Sequence, residues 1–218
     1  MKKLFIVANW KSNKTTFEAI QWLKKFTVAS SQLTDKEIII CASFTLLPDM
    51  KKTITELKLP IKLGAQDVSP YDEGAYTGGV NGKQIKEFAD YVLIGHIERR
   101  EKFGEDDGVL EKKVTMAIKY DITPIFCIQK ENSFIPATVK IVAYDPAFAI
   151  GTGKPDTAEN ANKIAHQVKT NGIDFVIYGG SVTSENVNNY TQASHLDGVL
   201  PGKASLDPAE FATIITHA

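Results

Sequence analysis

Short apolar runs rich in β-branched residues alternate with helix-like segments eight times along this chain of 218 residues. The runs cover residues 4–8, 37–42, 61–65, 91–95, 123–128, 139–144, 174–178 and 196–200. They are almost continuously apolar, which is typical of parallel strands that are buried on both faces. Eight strand–helix units predict an α/β fold with a closed (β/α)8 barrel, and an open doubly wound sheet is the alternative with the same periodicity.

Helix starts are marked by a capping residue and an acid three positions later. Pairs of this kind open three of the helix-like segments, and they are Thr15 with Glu18, Asp156 with Glu159, and Asp207 with Glu210. The first of these helices is expected to bury an apolar stripe made of Phe17, Ile20, Leu23 and Phe26.

One strand–helix unit is too short for a complete helix. Only residues 129–138 separate the fifth apolar run from the sixth, and Pro136 lies near their middle. We therefore expect helix 5 of the barrel to be missing or reduced to a short turn, with Phe134 and Ile135 packed over the gap. No linker-like tract interrupts the chain, so residues 1–218 are predicted to form a single domain.

Composition excludes two classes of partner. The formal net charge of −1 argues against a generally basic surface for nucleic acid. No run approaches the ~18 apolar residues of a membrane span, and the N-terminal apolar run stops at Asn9, too early for a signal peptide. Cys41 and Cys127 lie inside apolar runs, as small buried thiols do. We expect a cytoplasmic protein that binds neither nucleic acid nor membrane.

Chemically active side chains follow three of the predicted strands. Asn9 and Lys11 follow the first, His96 and Glu98 follow the fourth, and Asp145 follows the sixth. Because barrel active sites are built where the strands end, these groups are expected to meet. An amide, an ammonium, an imidazole and a carboxylate suit proton transfer next to a carbonyl group.

Glycines follow the last three strands. Gly151 and Gly153 lie in the segment after Asp145, Gly179-Gly180-Ser181 ends the seventh run, and Gly202 follows the eighth. Loops after strands seven and eight commonly bind phosphate in barrels through backbone N–H groups. This pattern favours a small phosphorylated substrate.

Seven segments carry a family resemblance. They are Asn9-Trp10-Lys11, Gly64-Ala65-Gln66, Gly74-Ala75-Tyr76-Thr77-Gly78, Gly95-His96-Ile97-Glu98-Arg99-Arg100, Ala149-Ile150-Gly151-Thr152-Gly153-Lys154, Tyr178-Gly179-Gly180-Ser181 and Gly202-Lys203-Ala204-Ser205. In this order they resemble the motifs of triosephosphate isomerase. The resemblance implies a TIM barrel that interconverts dihydroxyacetone phosphate and glyceraldehyde 3-phosphate, in glycolysis and gluconeogenesis, without a cofactor or a metal.

The resemblance also implies catalytic roles. Asp145 would remove the carbon proton, and neutral His96 would polarise the carbonyl and move protons between the two oxygens. Lys11 and Asn9 would stabilise the enediolate, and Glu98 would order the charged cluster.

Binding roles follow from the same resemblance. Gly151, Ser181, Gly202 and Lys203 would hold the substrate phosphate. Thr77, at the tip of a long connection after the third strand, would insert into a partner subunit, so a homodimer is expected.

This chain departs from the family at several of these positions. Asp145 replaces a glutamate and is one methylene shorter, Ile97 replaces a serine, and Phe148 replaces a tryptophan. Pro201 and Lys203 stand where the family has valine and glycine around Gly202. These changes leave open a catalytically weak, isomerase-like barrel that acts mainly as a sugar-phosphate-binding protein. A different phosphate-binding barrel enzyme is disfavoured, because Asn9, Lys11, His96 and Glu98 are all present.

Overall fold

The computed structural model describes residues 3–26, 33, 35–149 and 153–218. Parallel strands form a closed barrel in sequence order, and the first strand pairs with the last. The strands are β1 (Leu4–Asn9), β2 (Lys36–Ala42), β3 (Ile61–Ala65), β4 (Tyr91–Ile94), β5 (Thr123–Ile128), β6 (Ile141–Tyr144), β7 (Phe175–Gly179) and β8 (Gly198–Leu200). The predicted (β/α)8 barrel is confirmed, and closure excludes the open doubly wound sheet.

Helices surround the barrel. They are α1 (Thr16–Lys25), α2 (Leu47–Glu56), α3 (Gly82–Lys86), α4 (Ile97–Phe103), α5 (Asp107–Lys119), α6 (Ala158–Lys169), α7 (Val187–Thr191) and α8 (Pro208–His217). Two of them, α4 and α5, lie between β4 and β5. Within the described ranges, no helix combines the length and the apolar character needed to cross a membrane.

Strand side chains sort into two layers. Alternate residues such as Val7, Ile39 and Ile177 fill the barrel interior, and the residues between them pack against the helices. The seam between β1 and β8 requires glycine at Gly198, because a Cβ there would lie 1.9 Å from the backbone oxygen of Phe5. Both faces of the strands are therefore buried, as their apolar runs predict.

The first helix begins as predicted but buries a different face. Thr15 and Glu18 form a complete capping box. The buried residues of α1 are Ala19, Trp22 and Leu23, with Phe26 buried at its end. Phe17 is 71% exposed, so its predicted place in the stripe is wrong. The buried face of α1 is centred on Trp22, whose ring packs edge-on to Trp10 and stacks on Phe26.

The predicted cap of α6 is also one residue off. Thr157 is the capping residue, and its side chain accepts a hydrogen bond from the backbone N–H of Asn160. Asp156, which was expected to cap this helix, is buried and binds side chains from other elements. The predicted cap at Asp207 is confirmed, with Pro208 as the first residue of α8.

The connection from β5 to β6 contains no helix, which confirms the missing fifth helix. Ile135 packs against the core, and Pro136 and Val139 are buried. Phe134 is 40% exposed, so the prediction that it covers the gap is wrong. The apolar cover of this connection therefore comes from its second half.

Candidate active site

The predicted site residues lie at one rim of the barrel. Asn9 is the last residue of β1, His96 follows β4, and Asp145 directly follows β6. Ser181 follows β7 and Gly202 follows β8. Since all strands are parallel, their carboxyl ends share this rim, and the structure brings the catalytic candidates together there.

Lys11 is held in a fixed position beside Glu98. Its ammonium nitrogen lies 2.6 Å from Glu98 Oε1. Its backbone N–H donates to Asn9 Oδ1 at 3.1 Å, and its φ of 52° lies in the left-handed region. Gln66 Nε2 donates to the carbonyl oxygens of Lys11 at 3.0 Å and of Cys41 at 2.9 Å. This amide supports the unusual backbone of Lys11, a role that the sequence did not reveal.

The charge of Glu98 is maintained by Lys11. Burial alone would raise the pKa of Glu98, but the hydrogen bond and the charge of Lys11 outweigh it and hold this pKa below its usual value. Glu98 is therefore a carboxylate at neutral pH. Lys11 is directed by this contact towards the space between β1 and β4.

His96 is buried at the start of α4 and its tautomer follows from its contacts. The backbone N–H of Glu98 donates to Nδ1 of His96 at 3.2 Å. A ring nitrogen that accepts a hydrogen bond carries no proton, so the ring is neutral and its proton is on Nε2. The N–H group of a neutral imidazole therefore points towards the rim.

Asp145 faces this N–H group. Its side chain is buried, with 3% of the residue exposed, and Oδ2 lies 3.0 Å from His96 Nε2. The contact is close but poorly aligned, so Oδ2 has no hydrogen-bond partner in the part of the chain that the structure describes. The backbone N–H of Asp145 donates to the Ile128 carbonyl at 2.8 Å. An unpaired, buried carboxylate oxygen is suited to accept a proton.

The walls around Asp145 leave it little space. A Cβ on Gly179, at the end of β7, would lie 3.0 Å from Asp145 Oδ1. On the interior side, burial first and the charge of Asp145 second raise the pKa of the Cys127 thiol well above its usual value. Cys127 therefore remains a thiol and does not compete with Asp145 as a base.

The phosphate candidates are only partly brought together. Ser181 has a φ of 49°, and its hydroxyl donates to the Ala149 carbonyl at 2.7 Å, next to the segment that carries Asp145. Gly202 lies beside Lys11, since a Cβ on Gly202 would be 3.7 Å from Lys11 Cε. Lys203 begins a short 3-10 turn (Lys203–Leu206) and is exposed. Gly151 lies outside the described residues.

Thr77 is exposed on the connection between β3 and α3. This connection is ordered by its own contacts: Tyr71 and Tyr76 stack with ring centres 4.3 Å apart, and Ser69 N–H donates to the Val80 carbonyl at 2.8 Å. Asp72 accepts hydrogen bonds from the side chains of Lys119 and Tyr120 on and after α5. These contacts order the connection that carries Thr77, and Thr77 itself is exposed on it.

A buried charge network behind the rim was missed at the level of sequence. Lys113 of α5 is 3% exposed, and its ammonium nitrogen lies 2.5 Å from both Asp67 Oδ1 and Glu105 Oε1. Arg99 of α4 bridges the same acids at 2.8 and 2.6 Å. The network joins the residue after Gln66 to α4, the helix that His96 caps. A lysine in the apolar stripe of α5 was the one available signal.

The arrangement provides the parts for moving a proton at a carbon next to a carbonyl group. The carboxylate accepts the proton, and the imidazole N–H and the ammonium group stabilise the oxygen that becomes negative. Among the described side chains, no group of three or more His, Cys, Asp or Glu residues is gathered to hold a metal ion.

Comparison with known proteins identifies the family. The model of the triosephosphate isomerase family matches residues 4–138 and 135–218, and the two matches overlap in the connection that lacks a helix. The chain is 37% identical over 246 aligned positions to the triosephosphate isomerase of Mesomycoplasma hyopneumoniae, with all of both chains covered. It is 36% identical to that of Gloeothece citriformis over 245 positions with the same coverage, and 34% identical to that of Dictyoglomus turgidum over 249 positions, with 99% of each chain covered. This chain belongs to the triosephosphate isomerase family.

Proposed function

We propose that this protein is a triosephosphate isomerase, an aldose–ketose isomerase that interconverts dihydroxyacetone phosphate and D-glyceraldehyde 3-phosphate without a cofactor. One observation carries the proposal. The buried carboxylate of Asp145 has an unpaired oxygen 3.0 Å from Nε2 of a neutral histidine, His96. Triosephosphate isomerases are themselves the standard example of a carboxylate base paired with a neutral histidine.

In the proposed reaction, Asp145 removes a proton from the carbon next to the carbonyl group. The electron pair of that C–H bond moves towards the carbonyl oxygen and forms an enediolate. His96 Nε2 donates its proton to one oxygen and recovers a proton from the other, and the acid returns its proton to the neighbouring carbon. The ammonium group of Lys11 and the amide of Asn9 stabilise the negative oxygen, and Glu98 holds Lys11 at 2.6 Å.

The substrate phosphate is proposed to bind between the segment after Asp145 and the loops after β7 and β8. Gly151, Ser181, Gly202 and Lys203 are the proposed contacts. The position of Gly202 beside Lys11 supports this, because it puts the phosphate site next to a cation. Backbone N–H groups in such loops bind phosphate without any need for a high net charge.

The proposal is tested by a coupled isomerase assay in the presence of a chelator. His96→Gln and Asp145→Asn are each expected to lower kcat at least about a hundredfold, the effect of losing a general acid or base. His166→Gln is the matched control, because His166 is exposed on α6 and far from the rim in the fold. Purified protein without turnover that still binds 2-phosphoglycolate would support the second candidate, a sugar-phosphate-binding barrel. The shorter acid at Asp145 is the observation that favours this candidate.

We also propose that residues 1–218 form one domain, that the protein acts in the cytoplasm in glycolysis and gluconeogenesis, and that it is a homodimer. The exposed Thr77 on its supported loop is the proposed contact with the site of a second copy. Light scattering is expected to give twice the monomer mass, and Thr77→Arg to lower both this mass and kcat. A fully active monomer at micromolar concentration would contradict the dimer and leave the reaction unaffected.

A further inference from the structure

Asp156 is a buried acid outside the proposed catalytic set, and each of its polar groups has a partner. Its backbone N–H donates to the Tyr178 hydroxyl at 2.7 Å, and its carbonyl accepts from the Tyr190 hydroxyl at 2.7 Å. Its Oδ1 accepts from the Thr157 N–H at 2.8 Å, and its Oδ2 accepts from the Tyr144 hydroxyl at 2.9 Å and from Asn160 Nδ2 at 2.7 Å. Asp156 is therefore fixed relative to β6, β7 and α7.

The bond to Tyr144 links Asp156 to the residue directly before Asp145. Tyr144 is the last residue of β6 and is buried in the layer between the sheet and the helices. Asp145 continues the alternate set of Ile141 and Ala143, which face the barrel interior. Burial first and hydrogen bonding to Asp156 second raise the pKa of the Tyr144 phenol, so it remains a donor. The Tyr144 phenol thus anchors the outer side of β6, and the next residue after β6 is the base, Asp145.

A short acid makes the position of this backbone important. An aspartate has one fewer rotatable bond than the glutamate of the family, so its carboxylate has less freedom to correct an error of the main chain. A misplacement of ~1 Å at a reacting group costs on the order of a hundredfold in rate. The accuracy that a longer side chain supplies by rotation must here come from the end of β6.

We propose that Asp156 is a positioning residue for the base. The hydrogen bond from Tyr144 to Asp156 fixes the end of β6 and with it the carboxylate of Asp145. This inference rests on the proposed isomerase function. The chain offers a matched control, since Tyr190 also donates a phenolic hydrogen bond to Asp156 but lies on α7, away from the base.

The test uses Tyr144→Phe, Asp156→Ala and the double variant that combines these two changes. Tyr190→Phe alone is the control. Tyr144→Phe and Asp156→Ala are each expected to lower kcat about tenfold, with KM changed less than about twofold, because a buried hydrogen bond to a charged group is lost. The primary deuterium isotope effect on turnover should rise, since proton removal becomes slower. The double variant should be no slower than the slower single variant, because the two changes remove one bond. Tyr190→Phe should lower the melting temperature about as much as Tyr144→Phe does, but it should change kcat by less than about twofold.

A kcat in Tyr144→Phe that equals that of Tyr190→Phe, or losses that multiply in the double variant, would overturn the inference. Amide hydrogen exchange gives a readout that needs no turnover. Exchange at residues 142–145 is expected to be faster in Tyr144→Phe than in Tyr190→Phe. Wild-type protein without isomerase activity would refute the proposed function alone, whereas equal exchange in these two variants would refute the positioning role of Asp156 whatever the activity.

Discussion

Gly179→Ala is expected to slow catalysis by moving Asp145 while leaving the fold intact. The new Cβ would lie 3.0 Å from Asp145 Oδ1, 3.2 Å from its Cγ and 3.3 Å from its Cβ. Relaxed contacts of this kind need ~3.5 Å, so the carboxylate must shift by ~0.5 Å. If ~1 Å costs on the order of a hundredfold, half of that costs about tenfold in kcat. The backbone of Gly179 is that of an ordinary strand residue, so alanine causes no conformational strain there.

The assay is the coupled isomerase measurement, with thermal unfolding recorded on the same samples. Gly108→Ala is the matched control: Gly108 is exposed in the first turn of α5, and a Cβ there meets only Asp106 Oδ1 at an ordinary 3.5 Å. The control should keep kcat and gain up to about 1 kcal/mol of stability from the smaller entropy of its unfolded chain. An active Gly179→Ala variant, with kcat within about twofold of wild type and an unchanged melting temperature, would refute the reasoning that Asp145 acts from this position.

Three further outcomes are expected. Asp145→Glu should keep or raise kcat, because the extra methylene extends the carboxylate by ~1 Å; a large loss in the coupled assay would mean that the site fits only the shorter acid. Burial alone would raise the pKa of Glu37, but hydrogen bonds from two lysines and a tyrosine outweigh it and lower this pKa to about 2. The stabilisation that the Glu37 carboxylate provides is therefore complete above the ordinary pKa of about 4.5 and is lost as the pH falls towards 2. In Glu37→Gln, the unfolding free energy measured by urea titration should therefore depend less on pH between these two values. Phe134→Ser should hardly change the melting temperature, whereas Ile135→Ser, at a side chain that packs on the core, should lower it, and the reverse order would contradict the burial described for this connection.

Features that depend on local pattern were predictable from the sequence. Continuous apolar runs mark strands buried on both faces, and all the predicted strands form. The absent helix between β5 and β6 followed from chain length alone. The site candidates were found because the ends of parallel strands must meet at one rim, so residues far apart in sequence could be assigned to one place.

Features that depend on long-range contacts were not predictable. Asp156 and Thr157 are both good capping residues, and three tyrosines from other elements decide that Asp156 is used elsewhere. The exposed Phe17 fits the helical stripe as well as the buried Trp22 does, and only the aromatic cluster around Trp22 selects the buried face. Lys113 is interpretable only once Asp67 and Glu105 are known to surround it.

The helix-free connection between β5 and β6 marks a place where the chain could be cut or extended. All four residues of β6 pair with residues 125–128 of β5, so closure of the barrel does not depend on a helical cover at this point. Glu131 and Asn132 are exposed at its tip. Exposed tips between paired strands tolerate new termini and inserted sequences better than most positions do. We expect a circular permutant that begins at Asn132 to fold. We also expect a domain inserted at this position to leave the barrel closed.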